Sequence, residues 1–359
     1  MGKSLHVATL YVLSHLGLIF FLYPGSIIAS VTEGFWAPIL FGFVVHVALL
    51  SIYMKGLSHF PKKDLIRIYS DVGKRVSAVF LLPVAFYLLI VGILTVRAYS
   101  EIITIVFLSD TPLWAIMALL LAISTYIAAK GIETICRTGI LLAVLFLPIV
   151  LFVFFASFQN ADWRYAVPLF DIDFSFLRDR SYWKSFFAFA GGFLFLGFVQ
   201  PFFSYDRSKV LIAAAALLPF FLFSVYIPAL TFGRSTASTF LFPYVVALDA
   251  IQISWLLFDR LTMFFLLSLV TFLILFLALV MWKTVRIANR YIPSSKPAML
   301  VLPLAALIFI VCLTIPSWND VERLFWWNTL LRLYIMIAVP ASVYYFGVRS
   351  KRKVNHANV

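Results

Sequence analysis

The 359 residues are 64% hydrophobic and 12% charged, with a mean hydropathy of +1.04. A soluble domain carries roughly 25% charged residues, so a soluble globular protein is excluded. The formal charge of +13 does not signal nucleic acid, because the cations cluster between apolar runs: Lys55, Lys62, Lys63, Arg67, Lys74 and Arg75; Lys283, Arg286, Arg290 and Lys296; and Arg349, Lys351, Arg352 and Lys353, a pattern that reads as membrane topology.

A helix needs about 20 apolar residues to cross the hydrocarbon core. On that criterion the chain divides into about ten spans, at 5–31, 36–54, 76–100, 112–129, 138–157, 183–203, 209–231, 258–282, 298–315 and 326–347. The apolar stretch 7–30 is longer than the roughly 7 to 15 residues of a signal-peptide core, which makes the first span a retained helix.

The first span carries Leu16 and Gly17, then Pro24 and Gly25. Pro24 removes a backbone donor and clashes with the preceding turn, and glycine eases non-helical dihedrals, so the spacing predicts a break. An unwound membrane helix survives only where it lines a cavity or site. His15 and His46 lie inside the first two spans; a buried neutral histidine can relay protons, and a lone one more often satisfies an interhelical hydrogen bond.

The basic segment 57–76 is read as lying partly along the cytoplasmic membrane face. Within it His59 and Asp64 match the His-x4-Asp spacing of acyltransferases, in which the aspartate orients a general base; the intervening Pro61, Lys62 and Lys63 suit an ordinary basic loop. Walker, zinc, nucleophile-elbow and dinucleotide motifs are missing from the sequence, so no enzyme, metal or cofactor is expected.

In the third span Arg97 and Glu101, at i and i+4, share a helix face near the outer end. An arginine so close to hydrocarbon is either functional or a latch snorkelling beside its own carboxylate. Tyr87, Val91, Tyr99, Leu196, Phe198 and Tyr334 supply the apolar walls and polar tips that suit a small amphipathic pocket. Cys136 and Cys312 fall in different helices, which argues against a disulfide or metal pair.

The polar segment 158–182 lies outside and divides the chain into five spans plus five. A second break is predicted in the sixth span, from Gly191 and Gly192 to Gln200 and Pro201. An odd number of spans per half inverts one half relative to the other, the architecture of LeuT-type transporters, and paired breaks mark a small-ligand site between such repeats. Most of the 28 Lys and Arg fall on the cytoplasmic side if both termini are cytoplasmic. The chain is then one all-α transmembrane domain over 1–359, with repeats at 1–157 and 183–347 and a basic tail at 348–359. A surface helix is expected within 242–255, and Asp259 and Arg260 open the eighth span.

Leu16, Gly17 and Pro24; Arg97, Glu101, Thr111 and Pro112; Gly131 and Arg137; Phe195, Leu196 and Gly197; Phe242 and Pro243; and Asp259 and Arg260 together resemble the B-subunit family of bacterial spore germinant receptors (GerAB type), within the amino acid, polyamine and organocation transporter superfamily. The Arg-x3-Glu to Thr-Pro stretch is the most specific of these. The resemblance runs over nearly the whole chain and implies a multi-pass subunit of the spore inner membrane, partnered by A-type and lipoprotein C-type subunits. It implies a receptor that binds a small nutrient such as an amino acid and triggers germination; the alternative is an amino-acid permease of the same superfamily. By position it implies a ligand site at Gly17, Tyr87, Val91, Gly192, Leu196, Gly197 and Tyr334, with Pro24, Arg97, Glu101, Asp259 and Arg260 structural or gating. Where the family often shows Gly-x-Gly, this chain has Gly17, Leu18 and Ile19, and Phe198 and Val199 follow the sixth-span glycine in place of an acid. A tighter, more apolar pocket is expected, and a bulky residue at position 17 is expected to block response while protein levels stay near normal.

Overall fold

The computed structural model describes residues 3–106, 108–166, 174–189, 192–251, 261–293 and 296–357, which are helical or irregular with no strand among them. Helix α1 (Lys3–Ile19) and α2 (Leu22–Ser30) form one apolar run bent by 60°. The bend falls at Phe20 and Phe21, and its position follows from Pro24: a proline ring clashes with the carbonyl four residues back, here that of Phe20. Pro24 itself sits in the first turn of α2, where a missing N–H costs nothing.

Next come α3 (Trp36–Leu57), α4 (Leu65–Val72), α5 (Lys74–Val106), α6 (Leu113–Ala129) and α7 (Ile132–Ala156). The amphipathic α4 buries Leu65, Ile68 and Tyr69 against the body and packs on α5. Asp64 caps it, accepting from the Arg67 N–H at 2.8 Å, and reaches Arg286 at 2.5 Å. That use of Asp64 leaves no His59–Asp64 dyad: the aspartate is committed to a helix end and an ion pair.

Among the described residues, the segment after α7 forms short 3-10 turns at Ser157–Asn160, Trp163–Ala166 and Phe174–Arg178. There Arg164 donates to the Asp162 carboxylate at 2.9 and 2.6 Å and holds that carboxyl below its usual range. Then follow α8 (Arg180–Ser185), the 3-10 turn Phe186–Phe189, α9 (Phe195–Val199), α10 (Arg207–Phe232), α11 (Arg234–Ala237) and α12 (Pro243–Asp249). The expected surface helix is thus α12, though Tyr244, Val245, Ala247 and Leu248 bury it against α10. The sixth apolar run is interrupted, with α8 and the 3-10 turn on one side and α9 on the other.

Last come α13 (Leu261–Tyr291), α14 (Val301–Leu313) and α15 (Trp318–Ala357). Of the apolar window of α13, 67% is buried inside the protein, against 22% for the span at α7. Helix α13 is therefore the central post, touching α1, α5, α6 and α7, whereas α7 faces outward. One expectation needs correction. The basic stretch 283–296 is not all loop: Lys283, Arg286 and Arg290 lie in the last turns of α13, and Lys283 is fully buried. Lysine and arginine are good helix formers, so the helix continues past its apolar window.

Among the described residues six helices are long and apolar enough to cross a membrane, and the bent α1–α2 pair makes a seventh; Leu113–Ala129 and Pro297–Leu313 are shorter apolar helices. The protein is a multi-pass membrane protein.

Candidate functional site

Helix α1 packs against the interrupted sixth apolar run. A Cβ at Gly192 would overlap the His15 imidazole of α1, so the glycine lets the second break lie directly against the first helix. His15 donates from Nδ1 to the Tyr11 carbonyl at 2.8 Å, and the Tyr11 hydroxyl shares a 2.5 Å hydrogen bond with His46 Nε2 of α3. The two imidazoles stand 5.2 Å apart, and Phe189 stacks on His46 at 4.9 Å. Two histidines that are solitary in sequence are therefore one buried cluster beneath the second break. The hydrogen bonds assign each a packing role; His15 Nε2 and His46 Nδ1 have no partner among the described residues.

The second break is pinned to α3 from below. Tyr53 donates to the Leu194 carbonyl at 3.3 Å, and a Cβ at Gly197 would overlap its hydroxyl. Gln200 donates from Nε2 to the carbonyls of Leu57 and Phe60 at 3.1 and 2.7 Å. The Tyr53 bond reaches a carbonyl of the irregular stretch itself, where backbone at membrane depth needs partners, and the Gln200 bonds tie the far end of the run to the carbonyls at and just after the end of α3.

The remaining site candidates divide. Tyr87 and Val91 are wholly buried on one face of α5, and Leu196 is wholly buried in α9. Tyr334 is 41% exposed on α15, so its ring is turned away from that interior. Gly17 meets backbone where Gly192 and Gly197 meet side chains: a Cβ there would lie 3.1 Å from the Leu273 nitrogen and 3.2 Å from the Phe272 carbonyl carbon, both backbone atoms of α13. It is a helix-crossing glycine. Arg97 is buried; it pairs with Glu101 and donates from Nε to the Ile315 carbonyl at 3.1 Å, tying α5 to the chain after α14. This is the latch geometry. Asp259 and Arg260 lie outside the described residues.

Two cavities lie between α8 and the start of α15. An open bowl of about 390 Å³ is walled by Arg180, Lys184, Glu322 and Arg323 with Trp326 and Trp327. A cavity of about 50 Å³ beneath it touches the first break through Leu18, Leu22 and Tyr23, and the approach to the second through Phe187 and Ala188. Lys184 and Glu322 border both and form an ion pair at 3.5 Å. Just inside lies a residue that the sequence reading passed over: Arg332 of α15, fully buried. The signal was available, since an arginine in the middle of a predicted crossing is a site hypothesis by default.

A family profile described as "Spore germination protein" matches residues 3–320. The "Putative spore germination protein YfkT" of Bacillus subtilis (strain 168) is 24% identical over 238 residues, 64% of each chain, so this match spans less than two thirds of that relative. "Spore germination protein KB" of the same organism is 22% identical over 355 residues, 95% of this chain and 93% of the other. Among solved structures, the crystal structure of MhsT in complex with L-phenylalanine is similar with a TM-score of 0.62 at 14% identity, covering 94% of this chain and 97% of that one. The likeness is one of fold: a LeuT-type helical membrane architecture.

Proposed function

The chain belongs to the spore germination protein family, and from that premise we propose that it is the membrane subunit of a nutrient-germinant receptor, binding a small molecule such as an amino acid at the broken helices. The observation that supports this reading is the packing of Gly192 against His15 of α1, near a cavity that touches the 60° bend through Leu18, Leu22 and Tyr23 and the sixth run through Phe187 and Ala188. In this reading the chain makes ten crossings in two inverted sets of five, 1–157 and 183–347. Both termini are cytoplasmic, and the outer segment 158–182 faces away from the cytoplasm in the inner membrane of the spore. Gly192, Leu196, Gly197, Tyr87 and Val91 frame the ligand, with Gly17 and Tyr334 at the margins; Pro24 sets the bend and Arg97 with Glu101 holds the outer end. Ligand occupancy shifts the population of two conformations, and A-type and lipoprotein C-type subunits read the shift.

A second reading, an amino-acid permease, is supported by the fold shared with MhsT, which was crystallised with L-phenylalanine. Two measurements separate them. Deleting the gene is expected to abolish nutrient-triggered germination while amino-acid uptake by the cells stays unchanged, and the purified protein in proteoliposomes is expected to accumulate no labelled amino acid. Gradient-driven uptake together with normal germination of the deletion strain would establish the permease instead.

A further inference from the structure

Arg332 is an intramembrane cation without an anion. It is fully buried, and no Asp or Glu lies within ion-pair distance of it among the described residues. Its Nη1 donates to the carbonyls of Trp183 and Lys184 at 3.4 and 3.1 Å, its guanidinium lies 5.3 Å from the Phe187 ring centre, and Tyr87 pairs with it from α5. The two carbonyl bonds use Nη1. Nε and Nη2 have no hydrogen-bond partner, and these two donors form the edge that takes a carboxylate side-on through two parallel bonds. One turn earlier on the same helix face, Asn328 is also buried, with neither its carboxamide oxygen nor its nitrogen partnered. Leaving polar atoms of two neighbouring side chains unsatisfied at membrane depth is costly, and a bound carboxylate would satisfy the three donors among them, Arg332 Nε and Nη2 and Asn328 Nδ2.

The approach is built to match. Arg180 and Arg323 line the outer bowl beside Trp326 and Trp327. The Lys184–Glu322 pair separates that bowl from the small cavity, and Phe187, packed edge-on against Phe325 at 4.8 Å, separates the cavity from Arg332. Resting on the receptor reading above, we propose that Arg332 and Asn328 seat the carboxylate of the ligand. The acid enters from the outer bowl past Lys184 and Glu322, and rotation of the Phe187 ring joins the cavity to the guanidinium. The ligand class is thereby a small molecule with a free carboxylate, its apolar part lying towards the first break.

The test uses the full-length protein in lipid nanodiscs, with L-alanine, L-valine, L-leucine and L-phenylalanine as probes, each as the free acid and as its C-terminal amide, and with inorganic phosphate as an anion control. Binding is read by tryptophan fluorescence and by thermal shift. The wild type is expected to bind at least one acid about 10- to 100-fold more tightly than its amide, the range of a hydrogen bond to a charged group, and Arg332→Gln is expected to erase that difference while Arg332→Lys restores part of it. Asn328→Asp is the decisive variant, because it supplies an internal carboxylate one turn from Arg332. It is expected to raise thermal stability and abolish acid binding together, and it does not depend on Arg332→Gln folding. Acids binding the wild type and Asn328→Asp with equal affinity, or phosphate binding as tightly as the acids, overturns the carboxylate seat and leaves the receptor reading standing. Failure of every acid to bind the wild type overturns both.

Discussion

At the scale of single residues, the glycines divide by what they face. Gly192 faces a side chain, so its replacement is repairable: Gly192→Ala places a methyl group on the His15 ring and is expected to lower the yield and melting temperature of the solubilised protein. The double variant with His15→Ala is expected to recover most of the loss, because the added methyl then has space. Additive losses would show that some other constraint makes position 192 a glycine. Gly17 faces the backbone of α13, and backbone cannot yield in the same way. Gly17→Leu is therefore expected to act through helix packing, reducing protein level along with response; normal levels with response lost would return position 17 to the ligand pocket. Arg97 is expected to be a matter of stability. Arg97→Met strands Glu101 and frees the Ile315 carbonyl, at a cost of roughly 2 to 3 kcal/mol, measurable as a lower melting temperature with unchanged ligand preference.

At the scale of elements, each break has a local cause and a tertiary consequence. The bend between α1 and α2 falls where Pro24 requires it, so this break was legible in sequence. If proline sets the angle, Pro24→Ala is expected to lengthen the distance between spin labels on the exposed residues Leu5 and Ala29; an unchanged distance would assign the bend to packing against α10 and α13. A second break is expected from Gly191 and Gly192, whereas the neighbours of that stretch were not legible. Its neighbours Tyr53, His15 and Gln200 come from α3, α1 and its own far end, and no local pattern pairs residues so distant. In helix α4 the cap at Asp64 was not read from the sequence, and the ion pair to Arg286 joins segments more than two hundred residues apart. Asp64→Asn is expected to keep the cap and lose only the ion pair, while Asp64→Ala adds about 1 kcal/mol for the cap, seen as a larger drop in melting temperature.

At the scale of the whole molecule, the proposed orientation makes a direct prediction. In a background where the buried Cys136 and Cys312 stay unreactive, Lys3→Cys and Arg349→Cys are expected to react with an impermeant maleimide only from the cytoplasmic side, and Trp163→Cys only from the outside. Labelling of the two ends from opposite faces would break the five-plus-five arrangement. The sequence by itself determined that this is a helical membrane protein and roughly where its apolar runs lie. Composition, span length and proline chemistry are local quantities, and each acts on a few consecutive residues. Only the tertiary structure decided that α13 is the central post, that His15 and His46 form one cluster, that Gly17 belongs to a helix crossing, and that Arg332 lies buried beside the breaks with one edge unpaired. Those facts depend on which faces of distant helices meet. In a chain where nearly every face is apolar, the hydrophobic pattern that sorts inside from outside in a soluble protein carries little information about that choice.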